Sequence, residues 1–429
     1  MKYDRIDNQL YIDNRKRFVA QMKANSVAVF NSNDIMPTNA DGAMPFRQNS
    51  DILHLSGVDQ EESILVLFPD GSNKDHREIL FLKETNDKIA IWEGEKLTKE
   101  QATEVSGIKT IYWKDQFESI FKQVIAESER IYLNSNEHLR ANIVVETRDA
   151  RFNKWVKETY PLHQIERSAP IMHKIRSIKS DIEIDLMQKA CDITESSFRS
   201  LLSFIKPGIM EYEIEAELIH EFVKSRSRGF AYEPIIASGF NACVLHYIQN
   251  NQECKDGDVI LLDIGAEYAN YASDLTRCIP VNGKYTQRQK DVYNAVLRVH
   301  RAAALLLRPG VFMHEYHKEV GDLMEAELLQ LNLIDKTDIK NQDPSWPAYK
   351  KFFMHGTSHF IGLDVHDVGM WHEPIQKGMA FTVEPGIYIR EESLGIRIEN
   401  DFIITDDTPF DLMRNIPIEA EEIEALMHS

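Results

Sequence analysis

The chain has 429 residues, of which 43% are hydrophobic and 27% are charged, a composition typical of a globular protein with a sizeable core. Its 49 basic and 68 acidic residues give a net charge of −19, which excludes nucleic acid and anionic membranes as expected partners because both would be repelled. The length predicts at least two domains.

The cysteines and the N-terminal residues indicate the cellular compartment. The four cysteines, Cys191, Cys243, Cys254 and Cys278, form no CxxC pair, which favours a reducing compartment. The N-terminal stretch MKYDRIDNQLYIDNRKRF lacks the apolar centre of a secretion signal, and no apolar run reaches the ~18 residues that span a bilayer. We therefore expect a cytoplasmic protein that does not enter membranes.

The first part of the chain alternates between helical and strand-like stretches. NRKRFVAQMKAN has helical periodicity, and SVAVF, SILVLF, EILFL and IYL are typical of short buried strands. This alternation predicts an α/β domain over residues 1–171. The stretch RSAPIMHKIRSIKS then leads into a long helical pattern that starts near Asp181, and we place a second domain over residues 172–429.

The second domain contains an internal repeat. In both LLSFIKPGIMEYEIEAEL and ALLLRPGVFMHEYHKEV, a helical pattern stops at Pro-Gly and a second amphipathic helix follows. A β-rich segment comes after each pair, with an acid at the same offset from a glycine, Asp263 in DGDVILLDIG and Glu384 in KGMAFTVEPG. Each acid is followed by another, Asp274 and Glu399 respectively. The pattern predicts an α+β domain whose pseudo-two-fold arrangement brings four carboxylates into one cleft.

Such carboxylates need compensation. An acid inside an apolar strand is costly unless it is paired or bound to a metal. Four of them in one cleft would repel one another strongly, and two divalent cations would neutralise them. The sequence therefore predicts a metal site between the two halves of the second domain.

Three histidines lie in the short stretch HGTSHFIGLDVHD: His355, His359 and His366. The spacing of the first two resembles the HExxH motif of zinc proteases, but Gly356 stands where the glutamate base would be. Its two glycines also disfavour a helix, and GLDVHDV alternates like a strand. We expect a bend that directs the histidines into a cavity beside the acidic cleft.

These motifs resemble those of one enzyme family. ASGFNACVLHY, LLDIGAEYANYASDLTR, HGTSHFIGLDVHDVG, VEPGIY and GIRIEND are similar to the motifs of the Xaa-Pro peptidases, aminopeptidase P and prolidase. NADGAMPFRQNSDILHLSG is similar to the aminopeptidase P N-terminal domain. The resemblance covers nearly the whole chain and implies an α/β N-terminal domain followed by an α+β pita-bread (creatinase/aminopeptidase-like) domain.

The resemblance implies a dinuclear metal centre with five ligands: Asp263, Asp274, His359, Glu384 and Glu399. In this family Asp274 and Glu399 would bridge two divalent ions. The oxygen-rich ligand set favours Mn²⁺, although Co²⁺, Zn²⁺ and Mg²⁺ are also compatible. A hydroxide bridging the ions would attack the carbonyl before proline, and Glu384 would accept the proton of the water.

The resemblance also implies roles for residues around the metals. His246 and His366 would hold the substrate and stabilise the oxyanion, and His355 would shape the pocket or support it from behind. Arg397 would orient the carboxylate of the metal ligand Asp263. Tyr388 would donate a hydrogen bond to the substrate or pack against the site.

The expected substrates are peptides with an N-terminal Xaa-Pro sequence. Prolidase, which cleaves only dipeptides, is the alternative, but the loop DVGMWHEPIQKGM has no arginine to hold a dipeptide carboxylate, and only Lys377 and Arg390 are nearby. Methionine aminopeptidase would leave the N-terminal domain unexplained, and creatine amidinohydrolase lacks the ligand set. A non-catalytic pita-bread binding module would be expected to lose ligands, whereas all five are present here.

The resemblance further bears on assembly. Trp92, in IAIWEGEKL, matches a tryptophan that in the family can reach the cleft of a neighbouring subunit, although a buried tryptophan would serve packing alone. We expect a homo-oligomer, either a dimer or a tetramer.

Overall fold

The computed structural model describes residues 3–428, which form two compact units. The first unit comprises Asp4–Arg176, and the second comprises Tyr3 together with residues 177–428. In the described part of the chain, no helix is both long enough and apolar enough to cross a membrane.

The first unit contains a six-stranded sheet and helices that cover it. Its strands are β1 (Ser26–Asn31), β2 (Ile64–Leu67), β3 (Glu78–Leu82), β4 (Thr110–Trp113), β5 (Arg130–Leu133) and β6 (Gln164–Arg167). The helices of this part of the chain are α1 (Gln9–Val19), α2 (Ser50–Ser56), α3 (Asp87–Glu93), α4 (Lys99–Ser106), α5 (Phe117–Glu127), α6 (Arg148–Thr159) and α7 (Ala169–Ser177).

The sheet has the order β4-β3-β2-β1-β5-β6, and β2 alone runs antiparallel to its neighbours. Successive residues of β1 point to opposite faces, so Ala28 and Phe30 join one hydrophobic cluster while Val27 and Val29 join the other. Apolar residues on both faces explain why the strand is a continuous apolar run. The predicted α/β class of this domain is confirmed.

The two units divide after Arg176, whereas the sequence placed the boundary at residue 172. The difference lies within α7. Ile171, Met172 and Ile175 of that helix pack into a hydrophobic cluster of the first sheet, and they therefore belong to the first unit.

The second unit combines long helices with short antiparallel strands. The helices are α8 (Asp181–Phe204), α9 (Glu211–Lys224), α10 (Gln287–Leu306), α11 (Met313–Gln330), α12 (Lys336–Lys340) and α13 (Ala420–Met427). The strands are β7 (Ile235–Ser238), β8 (Val259–Ile264), β9 (Glu267–Tyr268), β10 (Tyr271–Ala272), β11 (Leu275–Pro280), β12 (Ala380–Val383), β13 (Gly386–Ile389), β14 (Leu394–Arg397), β15 (Asn400–Ile403) and β16 (Phe410–Asp411).

The internal repeat is visible in the order of these elements. Each half starts with a helix pair, α8 and α9 or α10 and α11, and α8 and α10 both begin with a capping box, at Ser180 and at Thr286. Both helices end just before Pro207 or Pro309, because proline cannot continue a helix. Antiparallel strands follow in both halves, in the orders β11-β8-β7 and β12-β15-β16. The predicted α+β class of this domain is confirmed.

Candidate metal centre

The first two predicted ligands come from the first sheet of the second unit. Asp263 lies near the end of β8, opposite Thr276 of β11, and Asp274 directly precedes β11. The Tyr232 hydroxyl oxygen is 2.6 Å from Oδ1 of Asp263 and 2.6 Å from Oδ1 of Asp274. The two carboxylates therefore lie within reach of one phenol.

The next two come from the second half of the same unit. Glu384 directly follows β12, and Glu399 lies between β14 and β15. The backbone N–H of Glu399 donates to the Thr276 carbonyl at 3.1 Å, and the Thr276 hydroxyl donates to Oε2 of Glu399 at 2.7 Å. This bridge joins the two halves, so that carboxylates from both repeats meet at one place.

His359 brings an imidazole to the carboxylates. Its Nδ1 lies 3.0 Å from the Phe360 carbonyl, which accepts a hydrogen bond when that nitrogen carries the proton. Its Nε2 lies 3.5 Å from Oδ2 of Asp274 and 3.8 Å from Oε1 of Glu384. One ligand atom each from Asp274, His359 and Glu399 lie within 4.8 Å of one another. These three buried side chains are arranged as a metal ion would need them.

The electrostatics of the cluster fit a bound cation. Burial, followed by repulsion from Asp263 and Asp401, raises the pKa of Asp274 well above its usual range. Burial, followed by repulsion from Asp274 and Glu384, does the same to the pKa of Glu399. A divalent ion among these carboxylates would remove the repulsion, and hard oxygen donors with one imidazole suit such an ion. The residues present therefore fit a divalent metal.

Arg397 contacts three neighbours of the cluster. On β14, its Nη2 donates to Oδ2 of Asp263 at 2.5 Å, its Nη1 to the Tyr388 hydroxyl at 2.9 Å, and its Nε to the Thr276 hydroxyl at 3.2 Å. These three hydrogen bonds hold Arg397 in place, and its contact with Oδ2 fixes the orientation of the Asp263 carboxylate.

His355 continues this line of hydrogen bonds. Its Nε2 lies 2.8 Å from the Tyr388 hydroxyl, and its Nδ1 lies 3.6 Å from Oε2 of Glu384. Burial, assisted by the charge of Arg397, lowers the pKa of His355 to about 3. The imidazole is therefore neutral at pH 7. Its Nδ1 lies 2.7 Å from the Gly356 carbonyl, so the hydrogen-bonded chain that starts at Asp263 and passes through Arg397 and Tyr388 ends at His355.

The other two histidines are exposed to solvent. His246 lies after the short 3₁₀ turn Gly239–Cys243 and is close enough to His355 to interact with it electrostatically. The His366 ring centroid is 4.3 Å from that of His359, with the planes at 89°. Both imidazoles therefore lie beside the cluster and are accessible to a substrate.

The loop that carries the histidines differs in part from the sequence expectation. Residues 355–367 bend as expected, but GLDVHDV forms no strand. Instead Asp367 forms a buried ion pair with Lys179, with Nζ 2.9 Å from Oδ2. Gly362 packs so closely against this pair that an added Cβ would lie 2.2 Å from the carboxylate oxygen and 2.4 Å from Nζ. This ion pair and isolated backbone hydrogen bonds, such as that from the Asp367 N–H to the Phe360 carbonyl at 2.8 Å, hold the loop in place of a continuous ladder.

Sequence reasoning did not identify Tyr232, Asp401 or the Lys179–Asp367 pair. Asp401 is fully buried, and its Oδ2 accepts the backbone N–H of Asp274 at 3.0 Å. The acid within the apolar run DFII could have signalled it, by the same logic that identified Asp263. No local pattern distinguishes Tyr232, because its partners are distant along the chain.

Comparison with known proteins adds independent findings. Residues 185–406 match the profile of metallopeptidase family M24, and residues 11–132 match that of the aminopeptidase P N-terminal domain. The chain is 34% identical to the Xaa-Pro aminopeptidase of Escherichia coli (strain K12), covering 98% of each chain, and 32% identical to that of Haemophilus influenzae, covering 99% and 98%.

A solved structure is also similar over the full length. A putative aminopeptidase P from Bacillus anthracis superposes with a TM-score of 0.91 at 30% identity, covering 99% of each chain. These matches confirm the expected fold class, an α/β N-terminal domain followed by an α+β pita-bread domain with an internal repeat.

Proposed function

The chain belongs to metallopeptidase family M24, and we propose that it is a metal-dependent aminopeptidase that releases the first residue from peptides with proline in the second position. The observation that carries the proposal is the convergence of Asp274, His359 and Glu399, in a chain similar over its full length to Xaa-Pro aminopeptidases. The family and this cluster indicate that the enzyme uses a divalent metal.

The number and identity of the metal ions extend this proposal. Two ions are proposed because Asp274, Glu384 and Glu399 lie near a single ligand imidazole and Asp263 shares a phenol with Asp274. Four carboxylates carry more negative charge than one divalent ion neutralises. Mn²⁺ is proposed because carboxylate oxygens suit that ion, with Co²⁺, Zn²⁺ and Mg²⁺ as alternatives.

The protein side chains divide the chemical tasks. When bound, the metal ions supply a water molecule of lowered pKa and polarise the scissile carbonyl. Glu384 is the least buried carboxylate of the centre, with 20% of its side chain exposed, and it accepts the proton of the water. The exposed imidazoles of His246 and His366 donate hydrogen bonds to the developing oxyanion. Arg397 keeps Asp263 fixed during these steps.

The Xaa-Pro bond explains why a dedicated enzyme is required. It is a tertiary amide without an N–H, and the ring fixes the proline φ angle. General peptidases that bind this N–H or an extended backbone cannot hold such a substrate. An acidic centre, in contrast, suits the cationic amino terminus that an aminopeptidase must recognise.

Two further features are proposed. A homo-oligomer is supported by α3, on which Ile91 and Trp92 are 78% and 88% exposed and no residue is buried. Trp92 is therefore not a buried packing residue within a single chain, which was the alternative interpretation of its role. A cytoplasmic location is supported by the four free cysteines.

A paired assay tests the proposed activity. With added Mn²⁺, a Gly-Pro-Xaa tripeptide should release glycine quickly, the dipeptide Gly-Pro should react slowly, and a chelator should abolish both reactions. A clear preference for the dipeptide would establish the prolidase alternative. Absence of cleavage together with absence of stoichiometric metal would instead support a binding module without catalysis.

A further inference from the structure

A cavity of about 560 Å³ is lined by residues of the first unit and by none of the residues of the metal centre. Asn31 ends β1 and Lys114 follows β4, and both line the cavity. Its other walls include Phe117 and Arg148, the first residues of α5 and α6. The carboxyl ends of parallel strands and the first turns of helices form the edge at which α/β folds bind ligands. The volume lies in the range of small-molecule sites.

Most charged side chains around this cavity are paired with a group of opposite charge, and Arg148 is the exception among the lining cations. Three lining carboxylates form ion pairs: Asp34 with Arg151, Glu62 with Lys114, and Glu61 with Lys96. Within residues 3–428, the half-buried Arg148 forms no ion pair and only one hydrogen bond, from its Nη1 to the Ser32 hydroxyl at 2.6 Å. A guanidinium has five N–H donors, so most of its hydrogen-bonding capacity remains for a ligand.

Two further observations bear on the charge of the ligand. Burial lowers the pKa of Arg148, because the neighbouring carboxylates do not fully compensate the lost hydration. Glu118 also lines the cavity, but it lies exposed to water, which screens its charge. An anion that reached Arg148 would therefore meet a desolvated cation, and the nearby carboxylates of Asp34 and Glu62 are already paired with Arg151 and Lys114.

The apolar wall of the cavity is aromatic. It is formed by Phe117, Phe152 and Trp155, with ring centroids 6.0 Å apart for the first two and 5.5 Å apart for the last two. Phe152 and Trp155 are only partly buried, so that part of their surface is left for contact with a flat group.

We propose that this cavity is a second binding site, for a small oxyanion that carries a flat apolar body. Arg148 binds the oxyanion through its free N–H groups, and the aromatic wall packs against the body. Carboxylate and phosphate share the geometry that a guanidinium recognises, so both oxyanions belong to the proposed class.

Calorimetric titration of the full-length protein tests the proposal. Phenylacetate and phenyl phosphate supply the two oxyanions on the same ring, and 2-phenylethylamine supplies the ring with a positive charge. At least one oxyanion should bind with one-to-one stoichiometry, and its preference over the other identifies the oxyanion. Equal binding of the amine, or no binding of either oxyanion at millimolar concentration, would overturn the proposal.

Variants locate the binding site. Arg148→Met should weaken binding at least 10-fold, whereas Lys154→Met, on the same helix but outside the cavity, should change it less than 2-fold. Trp155→Phe should retain binding but lose the ligand-induced change in tryptophan fluorescence. Carboxylates also bind metals, so the metal centre is the competing site for these ligands. Asp274→Asn, which alters that centre, should bind the oxyanion as the wild type does. Unchanged binding in a folded Arg148→Met protein, or lost binding in Asp274→Asn, would contradict the assignment.

Discussion

At the scale of single residues, the metal centre depends on carboxylates that are unfavourable without a cation. Asp274 and Glu399 are buried, and burial together with neighbouring carboxylates raises the pKa of each. Each is also held by a contact outside the cluster, with Asp401 or with Thr276. The chain therefore keeps negative charges together through hydrogen bonds, at a cost in stability that metal binding offsets.

Replacement of Asp274 by asparagine should separate metal binding from folding. The amide removes a ligand and relieves repulsion, so activity with Mn²⁺ should fall at least 1,000-fold while the metal-free protein remains at least as stable as the metal-free wild type. Mn²⁺ should raise the melting temperature of the wild type but change that of the variant much less. Thermal denaturation with and without chelator and a peptidase assay check both outcomes. Near-normal turnover by the variant would exclude Asp274 as a ligand.

At the scale of elements, the histidine loop at residues 355–367 follows the short 3₁₀ turn Ala348–Lys351 and is held without a continuous ladder. Gly362 lies between His359 and His366, and it packs against the Lys179–Asp367 ion pair. Isolated backbone hydrogen bonds, such as that from the Asp367 N–H to the Phe360 carbonyl at 2.8 Å, assist these contacts but form no continuous ladder, so the path of the loop depends on few interactions.

Replacement of Gly362 by alanine should therefore disturb catalysis. The new methyl group would overlap the buried ion pair, and relieving the overlap should cost about 1–3 kcal/mol of stability and lower kcat/KM at least 10-fold. Gly356→Ala, in the same loop, is the matched control, because its nearest neighbour would be His317 at 3.5 Å. Urea denaturation and steady-state kinetics measure both effects. Equal behaviour of the two variants would show that the packing at Gly362 is not required.

A second element-scale network joins β1, β5 and α6 in the first unit. The carboxylate of Asp149 accepts hydrogen bonds from Nδ2 of Asn31 at 2.9 Å and Nδ2 of Asn134 at 3.4 Å. Burial nevertheless raises the pKa of Asp149 to about 7. Because the folded protein binds this proton more tightly than the unfolded chain, the group stabilises at low pH, and that stability is lost as pH rises through about 7.

Asp149→Asn should remove this pH dependence. The uncharged amide avoids the buried charge, so the variant should be more stable than the wild type at pH 8, by at most about 4 kcal/mol. Near pH 4, where the wild-type carboxyl is protonated, the advantage should vanish. Urea denaturation of both proteins across this pH range measures the difference. A constant difference at all pH values would contradict the raised pKa.

At the scale of the whole molecule, the apolar surface of α3 calls for a partner. Trp92 is exposed on a helix with no buried residue, and large exposed aromatic side chains are typical of interfaces. Trp92→Ser should shift the wild-type oligomer toward smaller species in light scattering. Leu162→Ser is the control, since Leu162 is 96% exposed but lies outside α3. A monomeric wild type, or no response to Trp92→Ser, would contradict the proposed assembly.

Much of this organisation could be read from local patterns. The α/β alternation, the repeated helix pair ending at Pro-Gly and the acids in the strands predicted both fold classes and the meeting of four carboxylates. These features could be predicted because hydrophobic periodicity, turn residues and a charge within an apolar run are each visible in a few neighbouring residues. The strand expected in GLDVHDV was wrong, since its alternation is overridden by the distant partner Lys179 of Asp367.

The sequence by itself determined which residue types can neutralise and hold a divalent cation, and its motifs identified their family. Only the tertiary structure decided which side chains hold those ligands: Tyr232 between two aspartates, Thr276 joining the halves, and Asp401 on the backbone of Asp274. It also placed Arg148 at a separate cavity. Local periodicity reports which face of an element is buried, whereas these contacts join segments far apart along the chain. They arise only when the packing of helices and sheets brings those segments together.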